Sequence, residues 1–297
     1  MLHHINVHSE RVIPNTSSTY SRREFLAAAS GVLPGIGLLA AAGAPMVPWS
    51  GHFWQRRQTG TAQLPPRVVA LRTLGGDFRF DPVGLLVEPG TSVIWLNMGD
   101  FHTTTAFHPD NDELLAGGVP LRIPEGAESW HSGLLGLTAG TQFEHRFQVE
   151  GVYDYFCQPH YNFGMVGRII VGRAHGGPAI SRPLAELPES AQRQMPPVES
   201  VTMQAGRAFE WTARLNGVLY LIANGLDAGP AAVRVVQEMR EDVTLQQLMS
   251  GEGIRTEFEA AVGRFTESVV ATADYEALVG QADVAKGLLE DARKAAE

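Results

Sequence analysis

The single cysteine of this 297-residue chain lies in the run Cys157-Gln158-Pro159-His160-Tyr161-Asn162-Phe163-Gly164-Met165. A histidine follows it by three positions and a methionine by eight. Thiolate, imidazole and thioether are soft or borderline donors, and together they suit copper better than magnesium or calcium. One further imidazole would complete a site able to pass single electrons. His102, in Asp100-Phe101-His102-Thr103-Thr104-Thr105, is the candidate for it. Taken singly these residues have plainer uses, because a lone cysteine is usually a small buried apolar group and a lone methionine is usually core. Their joint spacing is what points to a metal.

The elements around this run are those needed to hold it. Gly151-Val152-Tyr153-Asp154-Tyr155-Phe156-Cys157 is rich in β-branched and aromatic residues and reads as a strand. Met165-Val166-Gly167-Arg168-Ile169-Ile170-Val171 reads as the next one. The residues between Cys157 and Met165 then form a tight loop, stiffened by Pro159 and allowed to bend at Gly164. Three donors on one short loop are largely preorganised, and the fourth must come from elsewhere in the fold.

Residues 67–173 carry further strand signals. Val68-Val69-Ala70-Leu71, Phe78-Arg79-Phe80, Leu85-Leu86-Val87, Val93-Ile94-Trp95-Leu96, Thr103-Thr104-Thr105-Ala106-Phe107 and residues 143–149 are short and β-prone. Gly75-Gly76 and Pro89-Gly90 separate some of them. Many short strands with Gly/Pro turns, and no helical pattern between them, predict an all-β sandwich or barrel. His108 sits in a turn-rich acidic loop, and His131 and His145 read as surface or structural residues. Residues 114–128 are long for a loop and are expected to carry a short helix or to cover one side of the site.

With those residues in view, Cys-x2-His-x4-Met with an upstream His resembles the copper loop of the plastocyanin-like cupredoxins, among them halocyanin and pseudoazurin. Phe80-Asp81-Pro82 and the run from Val87-Glu88-Pro89-Gly90 to Trp95-Leu96-Asn97 are similar to that family's opening strands. The resemblance covers roughly residues 67–173. It implies a Greek-key cupredoxin sandwich and one type 1 copper ion on His102, Cys157, His160 and Met165. By the same resemblance Met165 is the axial ligand, and His160 lies near the surface where an electron enters or leaves. Pro159, Tyr161 and Phe163 are expected to form the apolar patch around it. The chain departs from the family at Thr103, where Asn is common, and in the bulk of Tyr161-Asn162-Phe163.

The flanks add a second part and an address. Ser21-Arg22-Arg23-Glu24-Phe25-Leu26 precedes a weakly apolar run, residues 27–44, and looks like a Tat export signal with small-residue cleavage near Ala40-Ala41-Ala42. Residues 1–42 are therefore assigned to the signal, which implies a periplasmic or other extracytoplasmic location, with a membrane tether if it stays uncleaved. Residues 43–66 and the Pro-rich residues 174–200 read as linkers, the latter with a short helix near Leu184-Ala185-Glu186-Leu187. Residues 201–297 are nearly free of proline. They carry four apolar stripes at helical spacing, through Trp211 and Leu215, Val233 and Val236, Phe258 and Val262, and Leu278 and Leu289. The whole is a multi-domain chain, a β-sandwich followed by a small all-α helical bundle suited to packing or homo-oligomerisation.

Composition narrows the partners. The chain is 44% hydrophobic and 19% charged, with a formal net charge of −9. Lys286 and Lys294 are the only lysines and no basic patch is present, which argues against nucleic acid. The expected partners are redox proteins exchanging single electrons. The same ligands have two other uses. A copper enzyme would resemble cupredoxins but typically pairs the cysteine with a neighbouring histidine, whereas Phe156 and Gln158 flank Cys157. Copper storage or delivery would require an exchangeable metal. Cys and His also suit structural zinc, but the methionine at the family's spacing favours copper.

Overall fold

In the computed structural model, residues 64–136, 140–251 and 253–297 are described. The expected export signal, residues 1–42, and most of the expected linker after it lie outside them. Among the described residues eight strands form two four-stranded sheets: β1 (Arg67–Leu74), β2 (Asp77–Asp81), β3 (Gly84–Val87), β4 (Ser92–Asn97), β5 (Thr105–Ala106), β6 (Gln142–Arg146), β7 (Gly151–Phe156) and β8 (Val166–Val171). One sheet has the order β2-β1-β4-β6 and the other β3-β8-β7-β5. β1 and β2 form a hairpin at Gly75-Gly76, where both residues take positive φ, of 59° and 90°. β1 runs parallel to β4, and β3 parallel to β8, so the chain crosses between sheets as a sandwich requires. Inward residues from both sheets, including Val69, Leu71, Trp95, Tyr153, Tyr155 and Ile169, make the core between them.

Strands β1, β4, β7 and β8 carry buried apolar residues on both faces, and the helices explain why. All six residues of β7 and of β8 are buried. Val152 and Ile170 point away from the sandwich core and pack with Val201 and Phe209, while Val68, Ile94 and Leu96 pack near Tyr220 on the other sheet. Covering such side chains contributes about 1.5–3 kcal/mol each. The helices among the described residues are α1 (Pro178–Ser181), α2 (Glu189–Gln194), α3 (Val198–Thr202), α4 (Gly206–Ala223), α5 (Gly229–Glu241), α6 (Val243–Leu248), α7 (Ile254–Val270) and α8 (Tyr275–Ala296), of which α1 to α4 lie against the sheets. The four expected helical stripes fall on α4, α5, α7 and α8, with the short α6 added, but on α5 the buried face runs through Val235 and Met239, with Val236 half-buried and Val233 exposed. These helices form the expected helical bundle, with a core of its own through Trp211, Leu215, Val262, Phe265 and Leu289, and it docks on the sandwich: α4 lies against β1 and β3, and Ala213 joins the sandwich core. Among the described residues no helix is long and apolar enough to cross a membrane.

Residues 174–200 are also more ordered than a linker. They form α1, a 3-10 turn at Leu184–Glu186, α2 and the start of α3. Short, proline-interrupted turns leave carbonyls without helical partners, and two buried arginines supply donors. Arg122 donates to the carbonyls of Ala179 and Arg182 at 3.1 and 3.2 Å, and Arg168 to that of Pro196 at 2.7 Å. Both arginines grip the buried Asp154, at 2.9 and 2.7 Å.

A second polar cluster joins sheet to helices. Arg72 on β1 is bidentate to Asp283 on α8. Lys286 donates to Asp81 at 2.8 Å and to Asn216 on α4 at 3.1 Å. Burial opposes ionisation of Asp283, but Arg72 and Lys286 outweigh it and hold its pKa down to about 2. The folded value lies below the unfolded value of about 4, so this stabilisation is complete above about pH 4 and is lost as the pH falls toward 2. Allowing for solvent screening at a carboxylate about one-third exposed, roughly 1 kcal/mol is expected. Urea denaturation of wild type and Asp283→Asn should differ by that amount at neutral pH and converge near pH 2. A gap that persists unchanged into acid would assign the effect to packing.

Candidate metal centre

The donors converge because two loops, β4–β5 and β7–β8, meet at one end of the sandwich. Cys157 follows β7, and its amide donates to the carbonyl of Met165, 3.0 Å away, at the start of β8. The His160 amide donates back to the Cys157 carbonyl (3.2 Å), and the Met165 amide to that of His160 (3.2 Å). Residues Tyr161–Phe163 make one 3-10 turn that ends at Gly164, φ 94°. A side chain at Gly164 would be strained in that conformation and would also meet the Ser190 carbonyl oxygen, 2.8 Å from the Cβ position. His102 is fixed from the other side. Its backbone pairs with Leu135 in an isolated bridge, and Asn97 closes the preceding turn by donating to the Asp100 carbonyl at 3.0 Å.

The side chains of His102, Cys157 and His160 meet inside the protein. Cys157 Sγ lies 3.7 Å from His102 Nδ1 and 3.5 Å from His160 Nδ1, and the two nitrogens are 3.2 Å apart. All three residues are buried. An ion held in a plane by two nitrogens at about 2.0 Å and one sulfur at about 2.3 Å needs separations of about 3.5 Å between nitrogens and about 3.7 Å from nitrogen to sulfur. The triangle fits. Among the described residues this is the one cluster of three or more His, Cys, Asp or Glu donors close enough to share an ion. Met165 is buried in the same apolar cluster as Cys157.

The surroundings orient each donor. His102 presents Nδ1 to the sulfur, which leaves Nε2 to carry the proton toward Thr73 Oγ1 at 3.3 Å. Thr73 in turn reaches Asp100 Oδ2 at 3.3 Å. The Thr103 amide donates to Cys157 Sγ at 3.3 Å. The substitution of Asn by Thr at 103 does not cut the loop loose, because the Thr103 hydroxyl accepts from the Gln158 amide at 2.8 Å. Burial pushes the Cys157 thiol up to about 11, partly offset by Thr103. Burial, and then the neighbouring His160, lower His102 to about 4; burial also lowers His160. Without metal at neutral pH the imidazoles are therefore neutral and ready to bind, and the thiol must release its proton to an incoming cation.

The rim of the site differs in part from expectation. The His160 ring stacks on Phe78, with centroids 3.8 Å apart and an angle of 9°, and has Phe101 and Phe163 beside it. Phe163 is 66% exposed and Phe101 39%. Tyr161 is not part of this rim. It turns inward against Phe107 and Phe156, where its ring fills a cluster closed by Leu187 and Met195 of the Pro-rich segment. Phe78, Phe101 and Thr73 were not singled out from sequence; their only signal was position in hairpin and turn, and pairing across the sheet brings them to the site. The other described histidines lie apart from the cluster: His108 bonds within its own loop, His131 meets Thr105, His145 stacks on Trp130, and His175 meets the Arg173 carbonyl.

Comparison with known proteins agrees with this geometry. Residues 68–172 match the copper binding proteins of the plastocyanin/azurin family. Chloroplastic plastocyanin of Tetradesmus obliquus is 33% identical over 103 residues, which are 35% of this chain and 65% of that protein. Plastocyanin of Scenedesmus fuscus is 31% identical over 106 residues, 35% of this chain and 96% of that protein. The crystal structure of pseudoazurin from Methylobacterium extorquens AM1 aligns at 26% identity over 43% of this chain and 90% of that one, with a TM-score of 0.32. Through residues 68–172, then, the chain belongs to the plastocyanin/azurin family of copper-binding proteins, and His102, Cys157 and His160 form a cluster that could hold one metal ion.

Proposed function

We propose that the protein carries single electrons between redox protein partners outside the cytoplasmic membrane. In this reading residues 67–173 hold one type 1 copper ion and residues 201–297 act as a packing layer. The observation that carries it is the buried triangle of His102 Nδ1, Cys157 Sγ and His160 Nδ1. His102, Cys157 and His160 would hold the copper, with the Met165 thioether, buried in the same apolar cluster as Cys157, as a further donor. Bound copper supplies a one-electron couple. The protein supplies a donor set that changes little between the two oxidation states. The loop is held by its own backbone bonds and by Thr103, and His102 by Thr73, so little reorganisation accompanies transfer. Phe78, Phe101 and Phe163 keep water from the His160 ring and offer a small apolar contact, as suits a short-lived encounter. The twin-arginine run supports export, which would place this exchange in the periplasm or its equivalent.

Voltammetry of the copper-loaded protein should give one reversible one-electron wave. In the same protein Phe163→Asp should leave the visible spectrum unchanged and slow electron self-exchange about tenfold or more, because a charge then faces its like across each encounter. An irreversible wave would remove the carrier reading, and an unchanged exchange rate would move the port away from His160.

A further inference from the structure

A file of hydroxyl groups runs from the surface to the cysteine loop. His131 is exposed on the segment that pairs with β5. Its Nδ1 lies 2.9 Å from Thr105 Oγ1, which lies 3.1 Å from Thr103 Oγ1. Both threonines are buried, at 0% and 1% exposure. Thr103 Oγ1 accepts from the Gln158 amide, next to Cys157, and the Thr103 hydroxyl also favours the thiolate form of Cys157.

The same heavy atoms admit two proton arrangements. When His131 Nδ1 is a bare lone pair, Thr105 donates to it and Thr103 donates to Thr105. When Nδ1 carries a proton, it donates to Thr105, Thr105 donates to Thr103, and the Thr103 hydrogen is released toward the Cys157 sulfur. Each hydroxyl has one hydrogen to give, so the order of the whole file follows the state of one surface ring. An added donor weakens the electron donation of a thiolate to its metal, which favours the reduced ion.

We propose that His131 is a positioning residue that tunes the copper potential through Thr105 and Thr103, raising it when His131 Nδ1 is protonated. The inference rests on the copper reading above. No charged side chain faces His131 from the described elements packed against it: Thr105 lies across the bridge, Trp130 and Ser132 flank it, and Glu128 acts on His145 instead.

The test is the reduction potential of the copper-loaded protein as a function of pH, in wild type, His131→Gln and Thr105→Val. His131 is expected to hold its proton up to about tenfold more tightly in the reduced wild type, which is a rise of up to about 59 mV on acidification. Both variants should lose that component. Proton uptake elsewhere, at His160 included, survives in the variants and is removed by difference. Profiles identical in wild type and His131→Gln, or in wild type and Thr105→Val, would overturn the relay.

An NMR titration of His131 in the metal-free protein gives a readout independent of copper. Coupling is reciprocal, so Thr103→Val, which does not touch His131, should shift its pKa. An unshifted titration would also overturn the proposal. Failure to form a copper site would instead remove the copper reading, and the NMR result would still decide the relay.

Discussion

Cys157→Ser should abolish the intense thiolate-to-copper absorption of the Cu(II)-loaded protein and leave a pale, ordinary Cu(II) spectrum. The band requires a sulfur bound as thiolate, and a serine hydroxyl is a harder donor that does not ionise at neutral pH. The wild-type band should bleach with ascorbate. Copper affinity should fall by at least about a hundredfold, since loss of an outer-shell partner alone costs 10–100-fold. The fold should survive: serine is nearly isosteric, and its oxygen can accept from the Thr103 amide that now faces the sulfur. About 1 kcal/mol is the expected cost of the buried hydroxyl. Visible and EPR spectra of both proteins after addition of Cu(II), with thermal denaturation beside them, separate ligand loss from unfolding. Identical pale spectra from wild type and variant would show that Cys157 is not a ligand.

What the chain announces in advance, and what it conceals, follows from range. Cys157, His160 and Met165 share one nine-residue run, so their spacing is a local property that survives any uncertainty about the fold. His102 was reachable only because a strand and turn lead up to it. Thr73 and Phe78 belong to the β1–β2 hairpin and meet the site by pairing across the sheet, which no local pattern encodes. The docking of the helices did leave a trace. Val68, Ile94, Leu96, Val152 and Ile170 are apolar where a free sandwich would show polar residues to water, and strands buried on both faces read as continuous apolar runs. The order of residues 174–200 left only the short helical signal near Leu184–Glu186, because the rest depends on Arg122 and Arg168, which in sequence look like ordinary surface charges. Thr103 gives the opposite lesson. Its hydroxyl does locally what the family's usual Asn was expected to do, so a departure in residue type preserved the bond.

Asp154→Ala should be among the most damaging substitutions away from the metal ligands. Asp154 is fully buried and accepts from Arg122 Nε at 2.9 Å, Arg168 Nε at 2.7 Å and Arg168 Nη2 at 3.0 Å. Removing it leaves two guanidinium groups in the interior without their counter-charge, and breaking a buried ion pair in this way costs about 3–5 kcal/mol. The loss should spread along a defined route. With their orientation released, the arginines no longer hold the carbonyls of Ala179, Arg182 and Pro196, and the Pro-rich segment loosens. That segment carries Ser190, whose hydroxyl donates to the Asn162 carbonyl at 2.9 Å and whose own carbonyl packs on Gly164. The copper loop therefore leans on a segment that Asp154 secures from the opposite side of the sheet. Three measurements should move together: the urea midpoint falls, limited proteolysis begins within residues 174–200, and copper passes to a chelator faster than from wild type. Asp154→Asn, which keeps the acceptor oxygen but not the charge, should fall between the two. If Asp154→Ala lowers stability by less than about 1 kcal/mol, the carbonyls alone satisfy the arginines. If stability falls but the rate of copper loss is unchanged, the loop holds its ligands without help from the Pro-rich segment.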